Sequence, residues 1–140
     1  MEWIRKSYQE LTRDELFAIL RARQEVFVVE QNCPYPDIDD TDLKSIHVFA
    51  LRDGKALACL RYFEKADEPG VIQIGRVMSA QRGKGYGQAV MEAALSGLNG
   101  KHLYLEAQVY AIGFYERFGF RTVSEPFDED GIPHVRMRRD

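Results

Sequence analysis

Between a run of strand-forming residues, Val71 to Met78, and an amphipathic stretch with apolar residues at Val90, Met91, Ala94, Leu95 and Leu98 lies Arg82-Gly83-Lys84-Gly85-Tyr86-Gly87. Three glycines at alternate positions let the backbone turn sharply and approach a ligand closely. A helix that begins there exposes unpaired N–H groups and the positive end of its peptide dipoles. A strand, a glycine loop and a helix in this order predict an α/β domain with an anion cradle at the helix start, suited to a pyrophosphate. Arg82 and Lys84 add positive charge. Two familiar phosphate loops are excluded by spacing. Gly-x-x-x-x-Gly-Lys-Ser/Thr is absent, and the glycines run G-x-G-x-G where a dinucleotide fold needs G-x-G-x-x-G. A plain glycine turn with a solvated basic edge remains open at this level.

The rest of the chain reads around that centre. Trp3 to Tyr8 predicts a first strand. Thr12-Arg13-Asp14-Glu15 matches a capping box, and Leu16, Ile19, Leu20, Arg23 and Phe27 follow at helical spacing. Pro34 and Pro36 stop any helix, so Asn32 to Asp42 reads as an acidic loop. Ile46 to Leu51 and Leu57 to Phe63 flank Asp53-Gly54, a hairpin turn signal. Val71 to Met78 predicts a third long strand, and the helix after the glycines is expected to run to about Leu98 before Asn99-Gly100. A strand from Leu103, a short helix over Ala111 to Phe118 closed by Gly119, and strands at Phe120 to Val123 and Val135 to Met137 complete the order. Glu125 to Pro133 reads as a loop.

Length and charge narrow the classes. The 140 residues fit one domain, 1–140. A net charge of −3 with no basic stripe argues against a nucleic-acid or membrane partner. No segment reaches the roughly 20 apolar residues of a membrane helix, and Met1-Glu2-Trp3-Ile4-Arg5-Lys6 lacks the apolar stretch of a signal peptide. Cys33 and Cys59 are too few for a disulfide framework and suit a reducing cytoplasm. Three scattered histidines give no metal-ligand spacing, so no metal is expected.

Arg82-x-x-Gly85-x-Gly87 resembles motif A of the GNAT superfamily of N-acetyltransferases. Gln108-x-x-Ala111-x-x-Phe114-Tyr115-x-x-x-Gly119-Phe120 resembles its motif B, with Gln108 where Asn is common. The segment Arg23 to Tyr35, Ile74-Gly75-Arg76-Val77 and Gly131-Ile132-Pro133-His134 are similar to the ElaA-like branch. The resemblance implies a central mixed, mostly antiparallel sheet flanked by helices. It also implies an acetyl-CoA cosubstrate held by backbone groups of Arg82, Gly83, Lys84, Gly85, Tyr86 and Gly87, with Gln88 beside them. Val77, Met78 and Ser79 would pair with the pantetheine arm like an added strand, and Gln108, Ala111 and Phe114 would line the cofactor.

The implied reaction moves an acetyl group to a primary amine by direct attack on the thioester. A backbone N–H near Val77 or Met78 is the natural donor to the oxyanion, and Tyr115 is the general acid to the CoA thiolate. An alkylamine is about one part in 2,500 neutral at pH 7, so a base is useful; Glu30, Glu106 and His134 are the candidates. Phe27, Cys33, His47 and Arg76 are candidate substrate-side residues. For His47 and Arg76 a structural role, an ion pair in the case of Arg76, competes with that reading. Asp37, Asp39, Asp40 and Asp42 form either a solvated acidic loop or an attractor for a cationic amine. A catalytically idle acyl-CoA sensor is the alternative function. The chain is expected to be a monomer or homodimer.

Overall fold

The computed structural model describes Met1–Asp140. Its strands make a mixed, mostly antiparallel sheet, and its residues fall into two compact units. The first holds residues 1–63 and 76–99; the second holds 64–75 and 100–140.

In the first unit, β1 (Ile4–Ser7) pairs antiparallel with β2 (Ile46–Arg52), and β2 with β3 (Lys55–Glu64). Asp53 and Gly54 join the hairpin with φ of 53° and 74°, the two positive values of the turn whose twist matches paired strands. Helix α1 (Arg13–Arg23) starts at Thr12, whose hydroxyl accepts from the Glu15 amide at 3.1 Å while the Glu15 carboxylate accepts from the Thr12 amide at 2.9 Å. The chain then widens into a π-helical stretch, Gln24–Glu30, with Gln31 and Cys33 amides bonding back five residues to Val26 and Val28. Ile19 and Ala22 of α1 pack with Phe49, Ala56, Cys59 and Met78, and Phe27 rests against this cluster. Val48, pointing oppositely to Phe49 on β2, faces Ala93 of α3 (Tyr86–Leu95) and Ser96, which caps that helix. Helices thus cover both faces of these strands. A one-turn helix, α2 (Thr41–Lys44), interrupts the expected loop. Helix α3 ends at Leu95, short of the expected Leu98, because Gly97 and Leu98 bond back only three residues and tighten the last turn.

Strand β4 (Val71–Ser79) contributes its first half to the second unit and its last four residues to the first. In the second unit, Val71–Ile74 pair parallel with His102–Leu105 of β5 (His102–Gln108). β5 pairs antiparallel with β8 (Ile132–Arg139), which also pairs with β6 (Arg121–Thr122) and β7 (Phe127–Glu129). Leu103, Leu105, Ala107, Val135 and Met137 are buried on one face with Phe120. The alternate positions Tyr104, Glu106, Arg136 and Arg138 form a charged face. The segment 125–133, expected as a loop, holds β7 and the turn to β8. Asp130 and Gly131 repeat the positive φ pair at 53° and 80°. The short helix before Gly119 begins as a 3-10 turn, Val109–Ala111, and continues as α4 (Ile112–Glu116). No helix is long and apolar enough to cross a membrane.

Candidate active site

Two stretches of the first unit make up the backbone of the candidate site. The parallel ladder of β4 ends at Ile74. Two residues on, Arg76 takes φ 51°, a left-handed backbone inside a strand, and the strand kinks before Val77, Met78 and Ser79. Ser79 Oγ donates to the Gln81 carbonyl at 3.0 Å, and the Ala80 amide to the Leu57 carbonyl at 2.9 Å, fixing the exit from the strand.

The glycine loop follows. Gly83 and Gly85 both have φ 76°, and a Cβ built on either meets nothing within 4 Å. Their glycines are therefore required by backbone conformation, and the space beside them is open. Gly85 caps α3 without a side chain to accept from the first turn, and that turn holds no acid. The first helical bond runs from the Ala89 amide to the Gly85 carbonyl at 3.0 Å. The amides of Tyr86, Gly87 and Gln88 precede it and lack helical acceptors. Arg82, Lys84 and Gln88 are exposed beside them. This is a cradle with donors, dipole and charge aligned for an anion. Arg82 also reaches back to Glu30, Nη2 to Oε1 at 2.9 Å, and both side chains are at least half exposed. Thus one candidate base is engaged by a residue of the loop.

The acidic segment before β2 is not a solvated loop, and it is not a free negative surface. Asp37 and Asp42 are buried with Arg23 and Arg61. Arg23 bonds Asp37 (3.0 Å) and Asp42 (2.7 Å); Arg61 bonds Asp42 (2.9 Å) and Asp39 (2.7 Å); Arg76 bonds Asp37 (3.0 Å) and Asp39 (3.3 Å). The six close a ring of alternating sign whose charges sum to zero. Asp40 alone of the four acids stays outside it. Burial by itself would raise the Asp42 pKa, but hydrogen bonds and charge from Arg23 and then Arg61 outweigh it and hold it down at about 2. Tyr35 donates to Asp37 at 2.8 Å and lies under the Arg76 guanidinium. One ring atom, Arg61 Nε, is buried without a hydrogen-bond partner.

His47 is 2% exposed, with Nε2 2.9 Å from the Asp42 carbonyl, and burial lowers its pKa. Its surroundings are those of a core residue. Cys33 is buried just after the π-helical stretch. The ring was legible only in part from sequence. Arg76 within a strand was the signal read, and its ion-pair alternative is the one found, with Asp37 and Asp39; Arg23 in an apolar helical stripe and Arg61 in a strand carried the same unread signal, since a buried guanidinium needs acids. The left-handed backbone at Arg76 had no sequence signal, because the adjacent Gly75 is the residue that favours such a conformation.

In the second unit, Tyr115 is half-buried and makes edge contacts with Phe114 (5.1 Å) and Phe120 (6.3 Å). Burial, then the neighbouring Tyr110 phenol, raises its pKa above 10. Gln108 ends β5, and Ala111 opens α4; both are half-buried. Glu106, also half-buried, accepts from the Tyr104 hydroxyl at 2.7 Å. His134 is 8% exposed, stacked on Phe127 at 6.0 Å, with Nδ1 2.7 Å from the Ile132 carbonyl and Nε2 3.3 Å from Glu129. No group of three or more His, Cys, Asp or Glu stands close enough to hold a metal ion.

Known proteins match this chain along nearly its whole length. The acetyltransferase (GNAT) domain family matches residues 10–140. Escherichia coli ElaA is 39% identical over 148 aligned positions, which cover 100% of this chain and 97% of ElaA. Its crystal structure matches with a TM-score of 0.90 over 99% of each chain. The crystal structure of an acyl-CoA N-acyltransferase from Pseudomonas aeruginosa is 42% identical, covers 100% of both chains and gives a TM-score of 0.92. A family match across nearly the full length, with the glycine loop and the Tyr115 motif both in place, means that this chain belongs to the GNAT acetyltransferase family, in its ElaA-like branch.

Proposed function

We propose that this chain is an N-acetyltransferase that moves the acetyl group of acetyl-CoA to a primary amine by direct attack. The observation that carries the reading is the glycine loop. Left-handed Gly85 opens α3 onto exposed space, with the Tyr86, Gly87 and Gln88 amides lacking helical acceptors. A diphosphate satisfies such donors, and a Cβ at either glycine would stand in the open space where it docks. In this reading Val77 to Ser79, beyond the end of the parallel ladder, pair with the pantetheine arm.

The amine nitrogen attacks the thioester carbonyl, whose oxygen takes up negative charge and accepts from a backbone amide at Val77 or Met78. Collapse breaks the C–S bond. The departing thiolate takes the proton of Tyr115, a phenol that is protonated at neutral pH. Glu106 is the base this reading favours for the amine proton, being half-buried and oriented by Tyr104. Glu30 is exposed and held by Arg82, and both nitrogens of His134 already face acceptors. Phe27 and Cys33 remain the acceptor-side candidates of this reading.

Thermal denaturation with added ligands tests the binding half. Acetyl-CoA and CoA are expected to raise the melting temperature. At a hundred times the dissociation constant this is about 2.7 kcal/mol of stabilisation. NAD and ATP should shift it much less. Release of CoA thiol across a panel of amines tests the transfer half. Equal shifts with all four ligands, or none, would refute the proposal.

A further inference from the structure

Arg76 occupies a position that favours glycine. Its φ of 51° strains a residue with a Cβ, and Gly75 stands beside it without sharing the positive φ. A side chain kept at such a cost is tied to something. The Arg76 guanidinium places Nε 3.0 Å from Asp37 Oδ1 and Nη2 3.1 Å from the Asp37 carbonyl and 3.3 Å from Asp39 Oδ2. That same carbonyl accepts from buried Arg23 at 2.8 Å. The strained strand residue is therefore fastened through two carboxylates to guanidinium groups that are 1% and 5% exposed.

We propose that Arg76 is a positioning residue. Anchored in the closed ring with Asp37, Arg23, Asp42, Arg61 and Asp39, it holds the β4 kink that aims the Val77 and Met78 amides. This rests on the N-acetyltransferase reading above, in which those amides meet the thioester. The guanidinium acts through the backbone rather than on the acceptor, since its Nε and Nη2 donors are committed to Asp37 and Asp39 and its face lies over Tyr35. A kink without its anchor relaxes toward regular strand and moves the donors by a distance that matters to a transition state.

The test compares wild type with Arg76→Gly, which adopts the kink freely but lacks the tether, and Arg76→Lys, which keeps the charge without the fork. Backbone amide exchange at Val77 to Ser79 is measured on the ligand-free protein. CoA affinity is measured by calorimetry, and kcat and both KM values by thiol release. In Arg76→Gly, exchange at Val77 to Ser79 rises and kcat falls about tenfold or more. CoA affinity and acceptor KM stay near wild type, because the glycine loop is untouched. Arg76→Lys lies between. Unchanged exchange overturns the inference, and so does a raised acceptor KM with kcat retained. Should Arg76→Gly not fold, Asp39→Asn gives the same comparison from the more exposed side of the ring. A wild type that neither binds CoA nor releases thiol would sink the enzymatic reading alone. The exchange comparison would still decide whether Arg76 pins the strand.

Discussion

Tyr115 keeps its proton because burial penalises the phenolate, and Tyr110 adds to that penalty. A phenol is in its donor form at neutral pH in any case, its ordinary pKa being about 10; what matters is that the hydroxyl is there for the thiolate. Replacing Tyr115 with Phe retains the edge contacts with Phe114 and Phe120 and removes only the hydroxyl. We expect kcat to fall by about 100-fold while the melting shift given by CoA persists, read by thiol release and thermal denaturation side by side. Unaltered turnover would remove Tyr115 from the chemistry. Its motif was plain in the sequence, since Ala111, Phe114, Tyr115, Gly119 and Phe120 keep fixed spacings. Spacing says nothing of solvation, however, and the raised pKa emerged only from the packed ring. The same holds for Asp37 and Asp42. Their acidity was visible, but their burial against Arg23 and Arg61 depends on residues up to 19 positions apart brought together by folding.

The strand, glycine loop and helix form the element on which binding turns. Gly85→Ala puts a Cβ on a residue with φ 76° where no atom lies within 4 Å, so the penalty is conformational and not steric. It should cost about 1–2 kcal/mol of stability. It should also weaken CoA binding as the loop shifts, measured by denaturant titration and calorimetry on one preparation. Full affinity would show that the cradle does not depend on the left-handed cap. This element was legible because glycine, helix periodicity and strand composition each act locally. The Thr12 capping box and the Asp53-Gly54 turn were readable for the same reason. The second such turn, Asp130-Gly131, was passed over. Its leading strand, Phe127–Glu129, has three residues, two of them acidic, and shows no alternation. Pairing with β8 makes it a strand, and that is a tertiary fact. Helix α2, a single turn, was too short for any periodic signal.

For the whole molecule, acidification acts in two stages. In the unfolded chain an imidazole takes up a proton near pH 6.5, whereas burial keeps folded His47 neutral to lower pH. The unfolded state then binds more protons, so stability falls as pH drops below that point. Asp42 and Asp39 add a second stage. Their folded pKa values are depressed, Asp42 to about 2, so their contribution is complete above the unfolded value of about 3.9 and is lost below it. Denaturant unfolding at pH 7.5, 5.5 and 3 should show both losses, and His47→Gln should lack the first. A stability unchanged between pH 7.5 and 5.5 in the wild type would contradict the placement of His47. The circuit of three arginines and three aspartates has one more consequence, for descent. Each member touches two of opposite sign, so a lone substitution leaves two neighbours short of a partner, most severely where those neighbours are buried. Related chains should therefore keep or lose these six positions as a set, drifting by compensated pairs while the surface around them changes one residue at a time.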